Sequence, residues 1–148
     1  MIEFTLINPK LISINEQYIH PVRKTKRGTY TSYFAKSPYL KEVQQYFEEV
    51  LAEKVTEEDI CKLKEEVNET NGVFLSLKLG LPRKDFYEYD LSNFVKSVED
   101  CLVKRIKIDD SRNVKLDISK VLYNSANNDW RLDVKVSSIE IEKLEEFV

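Results

Sequence analysis

Apolar and polar residues alternate from Val73 to Leu81 (VFLSLKLGL), and this period of two predicts a strand with Val73, Leu75, Leu77, Leu79 and Leu81 on one face. The same alternation marks residues 2–7 through Ile2, Phe4 and Leu6, and residues 130–136 through Trp130, Leu132, Val134 and Val136. A further strand begins with Val114, Leu116 and Ile118. Elsewhere the apolar spacing is helical. Ser37 and Pro38 form an N-cap with a first-turn proline, and Leu40, Val43, Phe47, Val50 and Leu51 carry that helix to about Lys54. Thr56 and Asp59 have capping-box spacing, with Val55 and Ile60 at staple positions, and Ile60, Leu63 and Val67 give a thin stripe. A third helix runs from Ser92 to about Arg105, with Phe94, Val98, Cys101 and Leu102 on one face. Asn-Pro-Lys after Ile7, Asn71-Gly72 and Asn124–Asp129 are breakers, and Pro82 to Phe86 is a loop or a bulged strand extension. The order is β-α-α-β-α-β-β. It implies an α+β fold, one domain over residues 1–148, a mixed β-sheet packed with helices, and a hairpin pairing the last two strands.

Composition adds limits. The 148 residues suffice for one core, and 42% apolar with 33% charged residues describes a folded, soluble chain. No apolar run approaches the roughly 20 residues of a membrane helix, and the N-terminus is too polar for a signal peptide. The expectation is a cytoplasmic protein with no membrane partner, its Cys61 and Cys101 reduced and buried. The net charge of -3 argues weakly against nucleic acid, but the charge is polarised. Residues 17–36 hold no acid; they hold Arg23, Lys24, Lys26, Arg27 and Lys36, interleaved with Tyr18, Tyr30, Tyr33 and Phe34. This segment, with Pro21 and Gly28, reads as an irregular or hairpin-like loop. It is either a solvated surface or a phosphate-contacting one whose tyrosines stack on bases. The single histidine, His20, offers no zinc cluster.

The candidate chemistry lies between Glu88 and Asp110. If the strand continues that far, Glu88 and Asp90 share a face. On the helix that follows, Asn93, Lys96 and Asp100 share a side. Asp109 and Asp110 precede the next strand. If that strand lies beside the one leading to Asp90, carboxylates from two strands meet at one end of the sheet. Oxygen donors of this kind suit Mg²⁺, which activates water and polarises phosphate in nucleases. A plainer reading stands beside it: Asp90 or Ser92 as an N-cap, Lys96–Asp100 as a surface ion pair, and Asp109-Asp110-Ser111 as a turn.

The run Asp90-Leu91-Ser92-Asn93, then Lys96, Asp100 and Asp109-Asp110, resembles the RusA family of Holliday junction resolvases. That family shows D-x-D-N-x-x-K-x-x-x-D entering a helix and a D-D pair before a strand. SINEQY, Ser13 to Tyr18, is similar to its N-terminal S-x-N-x-x-Y segment. The resemblance covers most of the chain, with the helix within residues 55–70 an addition. It implies a homodimer binding branched DNA, a four-way junction, and nicking it with Mg²⁺ (Mn²⁺ as substitute). It makes Asp90 and Asp110 the principal metal ligands with Asp109 alongside, Lys96 the catalytic lysine and Asn93 a supporting residue. Arg23, Lys24, Lys26, Arg27 and Tyr30 would contact DNA. Ser92 stands where the family has a second metal-binding Asp, and Glu88 is the residue placed to replace that carboxylate. Where neither compensates, the expectation is a catalytically weakened DNA-binding relative. A third expectation is a protein-interaction domain whose charges only solvate it.

Overall fold

A computed structural model describes residues 1–11, 18–19, 22–32 and 35–147 of the chain. Its centre is a four-stranded sheet of β1 (Ile2–Ile7), β6 (Asn71–Leu81), β7 (Asn113–Leu122) and β8 (Arg131–Glu140). Their order across the sheet is β1-β8-β6-β7. Three helices, α1 (Pro38–Lys54), α2 (Glu57–Glu66) and α3 (Leu91–Ile106), accompany it. Four short strands, β2 (Tyr18–Ile19), β3 (Val22–Lys24), β4 (Tyr30–Ser32) and β5 (Ala35–Lys36), make two small antiparallel ladders. The fold is α+β with a mixed sheet, as the alternating and helical periods predict.

The predicted hairpin of the last two strands does not form. β8 pairs antiparallel with β1 and β6, while β7 pairs parallel with β6 through the α3 crossover. Burial explains the choice. An interior strand is packed on its neighbours, and β8 brings Leu132, Val134 and Val136 to the core. β7 carries Lys115, Asp117 and Lys120 among its apolar residues, and its positions are mostly exposed, so it takes an edge. The connection from β7 to β8 therefore crosses the end of β6. The Tyr123 amide donates to the Leu81 carbonyl at 2.8 Å. Gly80 permits this crossing, because a Cβ there would lie 3.0 Å from the Tyr123 Cβ.

The alternating residues of β1, β6 and β8 bury one face of the sheet against Leu40, Val43, Phe47 and Leu51 of α1 and Val95, Val98, Leu102 and Ile106 of α3. The Ser37 hydroxyl accepts from the Leu40 amide at 3.1 Å, which starts α1. The Thr56–Asp59 capping box forms in both directions and starts α2. Arg105 ties α3 to the α1–α2 junction. Its Nη2 donates to the Val55 carbonyl at 2.6 Å, and its Nη1 meets Glu57 at 3.1 Å. The other sheet face is polar, with Thr5 Oγ1 and Arg131 Nε both donating to Asp133 Oδ1 at 2.8 Å.

The basic segment is a hairpin. β3 pairs with β4 so that Lys24 faces Tyr30, and β2 pairs with β5 in the same register, Tyr18 opposite Lys36. The Thr25 amide donates to the Thr29 carbonyl at 2.7 Å, and Gly28 takes the left-handed φ of 81° that the turn requires. The SINEQY segment up to Gln17, His20, Tyr33 and Phe34 lie outside the described residues.

Candidate functional site

β6 stops at Leu81, so Glu88 and Asp90 do not share a strand face. Residues 83–88 are turns instead, with the Asp85 amide bonded to the Pro82 carbonyl at 3.0 Å and the Glu88 amide to the Asp85 carbonyl at 3.1 Å. Pro82 removes the amide that would have continued the ladder. Three side chains hold the turn. Lys120 Nζ donates to the carbonyls of Phe86 (2.6 Å) and Tyr89 (3.1 Å) and lies over the Phe86 ring. Trp130 Nε1 donates to Asp85 Oδ2 at 3.0 Å. Tyr89 packs edge-on against Trp130, with centroids 4.8 Å apart, and against Phe94 at 5.4 Å. The loop that ends in Asp90 is thus fixed from β7, from the start of β8 and from α3. Sequence reasoning missed Lys120, Trp130 and Asp85 in this role. Lys120 leaves one signal, as the charged residue at a position whose period-two neighbours are Ile118 and Leu122.

Asp90 is the N-cap residue of α3, yet its side chain makes no capping hydrogen bond. Its Oδ1 instead accepts from the Ser92 hydroxyl at 3.2 Å, and both residues are exposed. The plainer account of Asp90 as the N-cap residue thus holds for its position but not for a side-chain cap, and that of Asp109 as a turn residue holds: its Oδ1 accepts from the Ser111 amide at 2.9 Å and caps the short 3₁₀ turn Asp110–Arg112. That amide bond and the nearby Arg112 charge hold the Asp109 carboxyl below its usual range.

Lys96 pairs with Asp100 at 2.9 Å, and both side chains are about half exposed. The Asp100 hydrogen bond and charge raise the Lys96 ammonium, with smaller contributions from Glu99 and Asp110. A pair this exposed is worth well under about 1 kcal/mol and is readily given up for a stronger anion. Asp90, Asn93, Lys96 and Asp100 follow one another along α3, roughly 15 Å from first to last at the helical rise. The Asn93 side chain lies outside the described part of the structure.

The two acidic groups do not gather at one end of the sheet. Asn113 of β7 faces Val73 near the start of β6, whereas Asp90 follows the end of β6. The crossover helix lies between them. Among the described residues, no group of three or more His, Cys, Asp or Glu is close enough to hold a metal. The donors present are the Asp90–Ser92 pair and the exposed Asp110, with Glu88 exposed on the turn. One carboxylate beside a hydroxyl, as in the Asp90–Ser92 pair, is compatible with Mg²⁺, which commonly takes one or two carboxylates and completes its shell with water and substrate phosphate.

On the basic hairpin, Arg23, Lys24, Lys26, Arg27 and Tyr30 are exposed, Tyr30 to 71%. Between α1 and α3, a groove of about 380 Å³ is lined by Glu48, Leu51, Asp100, Cys101, Lys104 and Arg105, among others. Burial, then the charges of Asp100 and Glu48, pushes the Cys101 thiol up to about 11. Cys61 is exposed, contrary to its predicted burial. Iodoacetamide at pH 8 is expected to label Cys61 at least about 10-fold faster than Cys101. Cys101 is itself only partly buried; peptide mass spectrometry over time checks the difference, and equal rates would contradict even that partial burial.

No helix among the described residues is long and apolar enough to cross a membrane. Neither a family model nor a curated protein matches this chain.

Proposed function

We propose that this chain is a Mg²⁺-dependent, structure-specific DNA endonuclease that nicks four-way junctions as a homodimer, in the manner its RusA-like residue run implies. The observation that carries the reading is Asp90. It occupies a helix N-cap without capping, and its carboxylate sits instead beside a second oxygen donor, Ser92, on a braced loop. A divalent ion held there would polarise a phosphate and lower the pKa of bound water. Lys96, on the same helix, exchanges Asp100 for a DNA phosphate and stabilises the charge that develops on it. The exposed hairpin cations supply affinity for the backbone, and Tyr30 offers a stacking surface at an open junction.

A second reading has its own support: Ser92 is neutral where the family carries a carboxylate, and no cluster of three acids forms among the described residues. It keeps junction binding and drops cleavage.

Both readings require junction binding, which separates them from a protein-interaction domain. A labelled four-way junction is expected to bind more tightly than linear duplex of the same sequence, with affinity falling as salt rises. Lys26→Ala with Arg27→Ala should lower the slope of log affinity against log salt by roughly 2, about one unit for each lost phosphate contact. Equal, salt-independent binding to both DNAs would remove DNA from the account.

A further inference from the structure

The strand order leaves β7 at a sheet edge, and among the described residues no strand pairs with its outer side. About half of its ten residues present their backbone donors and acceptors outward there, the others bonding to β6. Edges of this length are usually blunted; β7 contains no proline but carries a bulge at Val114 and the charges of Lys115, Asp117 and Lys120, so a partner strand must answer those charges. It also exposes apolar side chains, with Val114 36%, Leu116 43%, Val121 38% and Leu122 44% accessible. Leu116 and Leu122 belong to the helix-covered side, since they face Leu75 and Leu81 of β6, while Val121 faces Gly80 on the polar side.

We propose that this edge pairs antiparallel with the β7 edge of a second copy of the chain, joining the two sheets into one of eight strands. The strand is self-complementary in one register. A two-fold axis perpendicular to the sheet keeps each side facing the same way, so directly opposed residues must come from the same side. Centred on Leu116, it sets Lys115 of each copy opposite Asp117 of the other. The run that pairs in this way is Lys115 to Asp117, because a β-bulge at Val114 breaks the alternation between Asn113 and Lys115. Centred on Asp117, it would oppose two aspartates. Centred on Ile118, it would oppose Leu116 to Lys120 and Lys115 to Val121. Like charges directly opposed are destabilising and opposite charges stabilising, so charge selects the register at Leu116. Lys115 and Asp117 both lie on the polar side, facing Phe74 and Ser76 of their own β6.

The inference rests on the homodimer of the proposed function and names its surface. Sedimentation velocity tests it. The wild-type chain is expected to be a dimer. Lys115→Asp and Asp117→Lys should each weaken it by about 10-fold or more, because each opposes like charges twice. Mixing the two single variants should restore a dimer, as should combining both changes in one chain. The recovered dimers also show that the single variants fold. A monomeric wild type, a dimer indifferent to either reversal, or no recovery on mixing would overturn the β7 surface. Junction nicking is followed in the same samples. A dimer indifferent to the reversals that still nicks junctions overturns the surface and leaves the nuclease. A dimer that responds to them but never nicks supports the surface and overturns the nuclease.

Discussion

Replacing Asp90 with asparagine is expected to lower metal-dependent nicking of a four-way junction by about 100-fold or more, with junction affinity unchanged or higher. The substitution removes one negative charge and little else. Asp90 is exposed and makes no capping bond, and asparagine is itself a good N-cap residue, so α3 should start as before. The Ser92 hydroxyl keeps an oxygen to donate to. Thermal unfolding within about 0.5 kcal/mol of wild type is the expected control. Affinity should hold because the hairpin cations are untouched, and loss of a carboxylate near phosphate removes repulsion. A variant that cut at the normal rate would exclude Asp90 from the chemistry, and with it the assignment of Ser92 and Lys96 as its neighbours in a site.

Phe47→Ala is expected to cost about 3–5 kcal/mol of stability. Phe47 has no exposed surface and stands on α1 within the single core cluster that unites α1, α3 and the sheet. Its ring also meets the Tyr46 ring edge-on, with centroids 5.1 Å apart. Truncation leaves a cavity that the surrounding core of helices and sheet can only partly close. For a chain of this length the melting temperature should fall by roughly 10 °C. Circular dichroism during heating measures it. A loss below about 1 kcal/mol would contradict the packing of α1 on the sheet.

Much of this fold is legible in single residues. The alternation of Val73 to Leu81 is an interior strand. Ser37-Pro38 and Thr56–Asp59 mark helix starts at the positions where they are found. Strand pairing was the part that adjacency misled. The Asn124–Asp129 turn suggests a hairpin, but the charges of β7 and the apolar face of β8 send them to opposite sides of β6. The information lay in composition, where an interior place goes to the strand with the more continuous apolar face.

The site divides in a similar way. The proximity of Asp90 to Ser92, and of Lys96 to Asp100, follows from spacing at a helix start and along a helix. The meeting of Asp90 with Asp109 and Asp110 does not follow, because a parallel crossover carries the chain from one end of the sheet back toward the other. The brace on the loop was also hidden. Lys120 grips two backbone carbonyls more than thirty residues earlier, and carbonyl acceptors leave no mark in a sequence.

Cleavage of a labelled synthetic four-way junction by the wild-type chain, with Mg²⁺ or Mn²⁺ and with linear duplex in parallel, tests the proposed activity most directly. Paired, symmetric nicks in the junction, absent without metal and absent from the duplex, are the predicted result. Tight junction binding with no nicks under either metal would contradict it and leave a binding protein on the same fold.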